Sequence, residues 1–208
     1  MIGIDIEKKL KVYQGQRVLK ISEELPTGSI TKIYGPSGAG KTTLLKIIAG
    51  FTPPEKGKIM VNDVAWLDTA AKINLPPQTR MAGFVFQDYA LFPNMNVRQH
   101  LEYATNDKGW IERLLAMGKL ETLTTLKPEH LSGGQQQRLA ILRALAVKPT
   151  LLLMDEPFSA LDSEMKTGLI NDLKQLFDEL GSTVLIVSHN QQELDELTGR
   201  ELKIESKY

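Results

Sequence analysis

The segment from Gly35 to Thr42 carries the residues with the clearest chemistry in this sequence. It consists of Gly-Pro-Ser-Gly-Ala-Gly-Lys-Thr, which fits the phosphate-loop pattern G-x-x-x-x-G-K-[ST]. The glycines let the backbone wrap closely around an anion, so that successive N–H groups point inward. Lys41 would then reach the β- and γ-phosphates of a nucleotide, and the Thr42 hydroxyl would ligate Mg²⁺. The nucleotide-binding residues predicted here are Gly35, Pro36, Ser37, Gly38, Ala39, Gly40, Lys41, Thr42 and Thr43.

Two adjacent carboxylates follow the apolar run Leu151–Met154. In open α/β sheets, ligands lie beyond the carboxyl ends of the strands, which is also the edge that carries a phosphate loop. We assign Asp155 to Mg²⁺, held mostly through water, and Glu156 to the water that attacks the γ-phosphate. Taken alone, a polar strand end before a turn at Pro157 would be the more common interpretation. The phosphate loop in the same chain favours the functional one.

A second glycine-containing segment, Leu131–Gln135, opens a predicted helix. Ser132 and Gln135 have the spacing of a capping box, so ordinary helix initiation is one explanation. However, Gly133 and Gly134 are poor helix starters unless a ligand or another chain must come close to the backbone. A helix N-terminus with bare N–H groups and a serine hydroxyl is a second anion site.

Strands and helices that could position these motifs alternate at both ends of the chain. The continuous apolar runs predict strands covered on both faces in a parallel sheet, and the region from about Val97 to Ala146 is mostly helical in pattern. The phosphate loop lies between a predicted strand and a predicted helix, which argues against an accidental glycine-rich turn. The predicted strands are Val18–Ile21, Ser29–Tyr34, Lys58–Val61, Gly83–Phe86, Thr150–Met154, Thr183–Val187 and Glu201–Lys207. The predicted helices outside the central region are Thr42–Ala49, Ser163–Leu180 and Gln191–Leu197.

Together these motifs resemble the ATP-binding-cassette ATPases, and the resemblance extends over almost the whole chain. Leu131–Gln135 stands as the signature of that family. The resemblance implies ATP and Mg²⁺ as cofactors and a second ATPase subunit, expected to be an identical copy, as partner. Two such subunits pack head to tail, and the signature of one closes on the ATP held by the phosphate loop of the other. Hydrolysis then lets the dimer open.

Four further positions take their roles from the resemblance alone. Gln87 would join the core to the helical lobe and sense Mg²⁺ and the attacking water, and His189 would contact the γ-phosphate. Asp162, in Ser159–Asp162, would organise contacts across the dimer, and Tyr13 would stack on adenine. By residue type alone, these are a surface amide, a helix-capping or surface histidine, a helix N-cap and a packing tyrosine. The predicted catalytic residues are Glu156, His189 and Gln87, the predicted metal-binding residues are Thr42, Gln87 and Asp155, and further nucleotide contacts are predicted at Tyr13, Ser132, Gly133, Gly134, Gln135 and Asp162.

The implied fold class is α/β. It comprises a P-loop NTPase core with a mostly parallel sheet, an N-terminal antiparallel β portion and an inserted helical lobe. We expect one nucleotide-binding domain over residues 1–208, with the core at about 1–87 and 148–208 and the lobe at about 88–147.

Composition and charge narrow the class of protein. Lys and Arg number 25, as do Asp and Glu, so the balance argues against a dedicated nucleic-acid binder. The chain has no cysteine, which excludes disulfides and thiolate catalysis. No apolar run approaches the roughly 20 residues that cross a bilayer, and the N-terminus has no signal-peptide pattern. We therefore expect a cytoplasmic protein, bound peripherally at the inner face of the membrane through a partner.

Within the family, two segments resemble the ATPases of binding-protein-dependent importers: Leu91–Met95 and Pro157–Asp162. The resemblance implies transmembrane permease subunits as direct partners and a solute-binding protein as an indirect one. Residues from about Tyr89 to His100 are the candidates for the permease contact, or else belong to the core of the lobe. Leu25–Thr31 resembles the molybdate and related oxyanion importers. The chain stops soon after His189, so we expect no regulatory domain after it and no feedback by substrate on this subunit.

Two other functions compete with transport. A soluble single-cassette ATPase in iron–sulfur assembly shares the same motifs, and co-purification with a polytopic membrane protein would separate the two. A regulatory subunit that binds ATP without hydrolysis is the other, and the presence of Glu156 and His189 counts against it. The transported solute is chosen by the permease and the binding protein, and no motif in this chain identifies it.

Overall fold

Two five-stranded sheets organise the fold in the computed structural model, which describes residues 1–12, 15–189 and 194–204. The N-terminal sheet is antiparallel, with strand order β2-β1-β4-β5-β6. This confirms the predicted antiparallel portion. Its strands are β1 Ile2–Val12, β2 Gly15–Leu25, β4 Lys56–Val61, β5 Val64–Asp68 and β6 Ile73–Asn74.

The second sheet is parallel throughout, with strand order β10-β3-β9-β8-β7. Its three central strands, β3, β9 and β8, are buried at every residue, as their apolar runs predict. Because these strands are parallel neighbours, the segments that follow them emerge at one edge of the sheet. The strands are β3 Ile30–Tyr34, β7 Ala82–Val85, β8 Leu151–Asp155, β9 Thr183–Val187 and β10 Arg200–Lys203.

Helices cover both faces of the parallel sheet. On one face, α1 is enclosed between the two sheets, where Leu44 and Ile47 are fully buried among side chains such as Leu153 and Ile4. On the other face, α5 and α6 pack against Leu152 and Met154, in a cluster that continues into α3 and α4. The helices are α1 Lys41–Ala49, α2 Pro77–Arg80, α3 Val97–Glu102, α4 Lys108–Met117, α5 Gly133–Ala146 and α6 Ser163–Leu180, with 3-10 turns at Glu121–Leu123 and Pro128–His130.

The predicted helical insertion is confirmed, since the described chain between β7 and β8 is helical with no strand. Its limits as a separate lobe, about 88–147, stay a prediction, because α5 shares one hydrophobic cluster with the parallel sheet. Within the described residues, no helix combines the length and apolar character needed to cross a membrane.

Several element predictions need correction in the N-terminal third. The strand predicted at Val18–Ile21 is part of the eleven-residue β2, which pairs along its whole length with an equally long β1. Both strands present charged side chains on their outer face. These interrupt the apolar residues along the sequence, so apolar runs do not reveal the full length of the strands. Strands β5 and β6 were not predicted. Near the C-terminus, the last strand is Arg200–Lys203, and residues 205–208 lie outside the described residues. Of the predicted helix Gln191–Leu197, residues 191–193 also lie outside them, and the described remainder, 194–197, forms no α-helix.

A buried arginine ties α1 to the antiparallel sheet. Arg80 is 1% exposed, and its Nη1 donates to the carbonyl oxygens of Ile47 (2.9 Å) and Ile48 (2.7 Å) at the C-terminal end of α1. Its other nitrogens donate to Leu75 O (2.9 Å) and Asn74 Oδ1 (2.8 Å). Ile48 O lies in the last turn of α1, where carbonyls lack intrahelical donors, whereas Ile47 O also accepts from Gly50 N (3.1 Å). Burial lowers the pKa of the guanidinium. Arg80 thus fixes the far end of the helix that starts at the phosphate loop.

Replacing Arg80 with methionine is expected to lower the free energy of unfolding by roughly 3 kcal/mol, because several buried acceptors lose their donor at once. Urea denaturation followed by circular dichroism measures the change. Arg80→Lys is the matched variant: its compact ammonium cannot reproduce the fork of donors, so it should also destabilise. An unchanged unfolding midpoint in both variants would contradict the proposed role.

Candidate active site

The phosphate loop connects β3 to α1, in the strand–loop–helix context that the sequence predicts. Gly38 and Gly40 have φ angles of 73° and 99°, which L side chains rarely adopt. A Cβ on Gly35 would lie 2.6 Å from Ile204 O, so the loop passes too close to the end of β10 for any side chain there. Helix α1 has no side-chain cap at its N-cap Gly40, and its first amides lie at the entrance of a cleft. This is the geometry of an anion site.

Lys41 lies almost buried in the loop. Its Nζ donates to Gly35 O (2.7 Å) and Pro36 O (3.1 Å) and lies 3.5 Å from His189 Nδ1. Burial lowers the pKa of Lys41, while the nearby carboxylates of Glu156 and Asp155 act to raise it. The ammonium is therefore held at the position from which it can contact a phosphate group.

Asp155 ends β8 with a carboxylate that is 2% exposed. The Thr42 hydroxyl hydrogen-bonds to this carboxylate. The Oδ1 atom of Asp155 has no hydrogen-bond partner among the described residues. Burial raises the pKa of Asp155, and the Thr42 hydrogen bond and the charge of Lys46 lower it. A free carboxylate oxygen beside a hydroxyl is a hard-oxygen donor set that suits Mg²⁺.

The described residues contain no group of three or more His, Cys, Asp or Glu side chains that could hold a metal ion by themselves. Phosphate oxygens and water would therefore have to complete the coordination of an ion at Asp155, as is usual for Mg²⁺ in phosphate-transfer sites.

Glu156 and His189 form the closest polar contact in the cleft. Glu156 Oε1 lies 2.6 Å from His189 Nε2, with the glutamate side chain 13% and the histidine 49% exposed. Glu156 has a positive φ of 52°, and its N–H donates to Val187 O (3.0 Å) at the end of β9. Strained backbone of this kind persists only where the surroundings fix it, and it is frequent at active sites. The ends of the adjacent strands β8 and β9 thus place a carboxylate and an imidazole in direct contact.

Lys41, Thr42, Glu156 and His189 line a cleft of about 640 Å³, within the size range of small-molecule sites. Asp155 is not among the lining residues. Gln87 follows β7 and also lies in this cleft. The sequence patterns did not indicate five of the lining residues; of these, Lys46 lies four residues after Thr42 on the same face of α1 and could have been found from that spacing. The lining residues are Lys8, Lys9, Leu10, Ser37, Gly38, Gly40, Lys41, Thr42, Thr43, Lys46, Thr52, Gln87, Glu156 and His189.

The signature segment lies outside this cleft, at the N-terminus of α5. The capping box is confirmed: Gln135 N donates to Ser132 Oγ (3.3 Å), and Ser132 N donates to Gln135 Oε1 (2.8 Å). A Cβ on Gly134 would lie 3.2 Å from Ala160 O, so a contact within the chain accounts for this glycine. A Cβ on Gly133 would make only ordinary van der Waals contacts, at 3.9 Å, so packing among the described residues does not require glycine at that position.

Two other predicted positions have mixed outcomes. Asp162 is the N-cap of α6, with its Oδ1 accepting from Met165 N at 2.9 Å, so the simple capping explanation holds and its role across a dimer stays a prediction. Tyr13 lies outside the described residues, and its stacking on adenine also stays a prediction.

The segment Tyr89–His100 divides between surface and core. Val97 and His100 are fully buried, and His100 Nε2 accepts from Phe92 N at 2.9 Å. The Phe92 ring is 37% exposed; it contacts the ring of Tyr103 and lies under the guanidinium of Arg143. The first part of the segment is therefore largely accessible, whereas in the second part Val97 and His100 are core residues and Gln99 remains exposed.

Comparison with known proteins places these features in a family. The sequence pattern described as "ABC transporter" matches residues 18–159. The chain is 40% identical over 200 residues to the molybdenum import ATP-binding protein ModC of Pseudomonas fluorescens, covering 93% of this chain and 56% of that protein. It is 39% identical over 208 residues to ModC of Photorhabdus laumondii, covering 99% and 58%. The chain thus spans a little over half the length of these relatives.

The fold is also that of a solved cassette. The ATP-binding cassette MJ0796, determined as a dimer in a post-hydrolysis state bound to ADP and Pi, superimposes with a TM-score of 0.83 at 30% identity, covering 100% of this chain and 97% of that chain. The sequence match spans the phosphate loop, the signature and the acidic strand end, and the structural match spans the whole chain. This chain belongs to the ABC transporter family.

Proposed function

We propose that the chain binds and hydrolyses ATP with Mg²⁺, dimerises on the bound nucleotide and powers solute import through a separate membrane permease. The observation that carries the ATPase proposal is the convergence of three strand ends on one cleft. β3 leads to Lys41, β8 ends at Asp155 and is followed by Glu156, and β9 leads to His189; Lys41, Glu156 and His189 line the cleft. A phosphate anchor, a hard-oxygen pair and a carboxylate–imidazole pair are the groups that phosphoryl transfer to water requires.

Each group takes a separate task in the proposed reaction. Lys41 and the first amides of α1 bind the phosphates and stabilise negative charge as it develops on them. Glu156 orients the attacking water and accepts its proton, while the contact with His189 keeps the carboxylate directed into the cleft. Mg²⁺, when bound, neutralises phosphate charge; Thr42 and Asp155 would hold it, with Gln87 at the margin of the site.

A dimer is proposed because the second nucleotide-facing helix end is outside the cleft. Ser132–Gln135 would reach ATP only from another subunit, with Asp162 nearby at the start of α6. The dimeric arrangement of the solved cassette MJ0796 supports this proposal. We propose a homodimer, since one chain carries both the cleft with the phosphate loop and the signature segment that would close on it.

The proposed cargo is molybdate or a related oxyanion. Support comes from the relatives, which are named as molybdenum import ATP-binding proteins. On this proposal the subunit is cytoplasmic and peripheral on the inner face of the membrane, and it acts with permease subunits and, indirectly, with a solute-binding protein.

Deleting the gene for this chain in its host is expected to lower cellular molybdenum in molybdate-limited medium, and only a catalytically intact copy should restore it. Elemental analysis of cells complemented with the wild type, Glu156→Gln or Glu121→Gln measures the effect. Glu121 is an exposed glutamate in the 3-10 turn Glu121–Leu123 and provides the matched control. Unchanged molybdenum with normal ATPase activity of the purified protein would reject the cargo and leave the ATPase standing. Absence of ATP hydrolysis would reject the ATPase proposal itself.

A further inference from the structure

A buried glutamine connects the signature helix to the loop that carries Glu156. Gln137, in the second turn of α5, is 1% exposed, so its amide must find partners inside the protein. Its Nε2 donates to Glu156 O (3.0 Å) and to Ser159 Oγ (3.2 Å). Its Oε1 accepts from Ala160 N (2.9 Å). Both the NH₂ group and the oxygen of one side-chain amide therefore form hydrogen bonds with the segment 156–160.

Gln137 and the sheet bond different backbone groups of Glu156. The Glu156 N–H is bonded to Val187 O in β9, and the Glu156 carbonyl accepts from Gln137 and from the Ser159 hydroxyl (3.2 Å). The residue between these anchors has the strained φ of 52°. Strain of that kind needs fixed partners on both sides, and Gln137 supplies one of them.

The same helix contacts this loop a second time, one turn earlier. Gly134 lies so close to Ala160 that an added Cβ would be 3.2 Å from Ala160 O. The first two turns of α5 therefore contact the segment 156–160 through a close backbone approach and three hydrogen bonds of one side-chain amide. These contacts fix the position of the segment 156–160 relative to the first two turns of α5.

We propose that Gln137 is a positioning residue that makes the signature helix and the loop bearing Glu156 move as one body. The inference rests on the proposed function, in which the N-terminus of α5 faces the nucleotide of a second copy while Glu156 acts on the nucleotide of its own chain. Through Gln137, engagement of α5 by one ATP sets the position of the base at the other. Gln137 touches no reacting atom and acts only through its bonds to Glu156, Ser159 and Ala160.

Gln137→Met tests the proposal because it keeps the length of the side chain and removes its donors and acceptor. We expect kcat for ATP hydrolysis to fall about 100-fold, since a displacement of the order of 1 Å at a reacting group has that effect. KM for ATP should change by less than about threefold, because phosphate-binding groups are untouched. If this variant does not fold, Gln137→Asn serves in its place, since it keeps an amide but withdraws it by one methylene.

Gln136→Met is the matched control. Gln136 is the preceding residue of α5, and its Nε2 also donates to two backbone carbonyls, Pro128 O (2.9 Å) and Leu131 O (3.1 Å), within the helical insertion. The two variants should lose similar stability in urea, whereas only Gln137→Met should lose kcat. Equal kcat losses in the two variants would overturn the proposal.

Hydrogen exchange gives a readout that needs no hydrolysis. The Ala160 amide should exchange faster in Gln137→Met and stay protected in Gln136→Met, measured on the full chain by mass spectrometry of a peptide spanning 156–162. Unchanged protection in Gln137→Met would overturn the proposal even if kcat falls. A wild-type protein that does not hydrolyse ATP would reject the proposed function, while the exchange comparison would still decide whether Gln137 fixes this loop.

Discussion

Alanine in place of Lys41 is expected to weaken ATP binding by roughly 100-fold. The Lys41 ammonium is almost buried and surrounded by the loop carbonyls of Gly35 and Pro36, so its charge-assisted bonds to phosphate form in a poorly solvated setting. Losing such bonds costs about 3 kcal/mol, or roughly a 100-fold rise in Kd. Isothermal titration calorimetry with ATP and Mg²⁺ measures this rise.

Lys108→Ala is the control for this variant, because Lys108 is an exposed lysine at the start of α4, away from the cleft. It should bind ATP as the wild type does. If Lys41→Ala keeps wild-type affinity and a wild-type circular dichroism spectrum, the loop does not anchor the phosphates as proposed.

Glutamine in place of Glu156 is expected to leave ATP binding intact and to lower hydrolysis by about 10²–10⁴-fold, the usual contribution of a general base. The amide has nearly the same shape as the carboxylate and can still contact His189, but it cannot accept a proton from water. Because nucleotide then stays bound, the protein should accumulate as a dimer in ATP. Phosphate release gives the rate, and size-exclusion chromatography with light scattering gives the mass, with ATP added without Mg²⁺.

Glu121→Gln makes the same chemical change at an exposed site and should hydrolyse ATP normally. Normal hydrolysis in Glu156→Gln would show that Glu156 is not the base. A variant that binds ATP but remains a monomer would contradict the homodimer, and it would point to a different partner subunit or to a dimer that forms only on the permease.

The parallel half of the fold could be predicted because its signals are local. Strand Thr183–Val187 and helix Ser163–Leu180 match the prediction to the residue. The strand is one unbroken apolar run, and the helix is bounded by the N-cap Asp162 and by Gly181, whose φ of 61° ends it. Once those strands are placed side by side, the meeting of Lys41, Glu156 and His189 follows from topology.

The rest depends on contacts between distant segments, which no local pattern encodes. The sequence around Arg80, which follows two prolines, is typical of a surface arginine. The side chain is nevertheless buried against α1. Gln137 follows two other glutamines, and nothing in that run distinguishes the one that contacts Glu156 from its neighbours. Burial of a polar side chain is decided by its tertiary partners, so both residues became visible only in the structure.

The unpartnered oxygen of Asp155 has a consequence for how long the protein survives. A buried carboxylate oxygen without a hydrogen bond among the described residues weakens the folded state, and a bound cation removes that weakness. On the proposed function, Mg²⁺ arrives with nucleotide, so the ligand stabilises the fold by mass action. Cells with abundant ATP would then keep this subunit folded and resistant to proteases, whereas starved cells would clear it sooner. The abundance of the motor would follow the energy supply without any dedicated regulator.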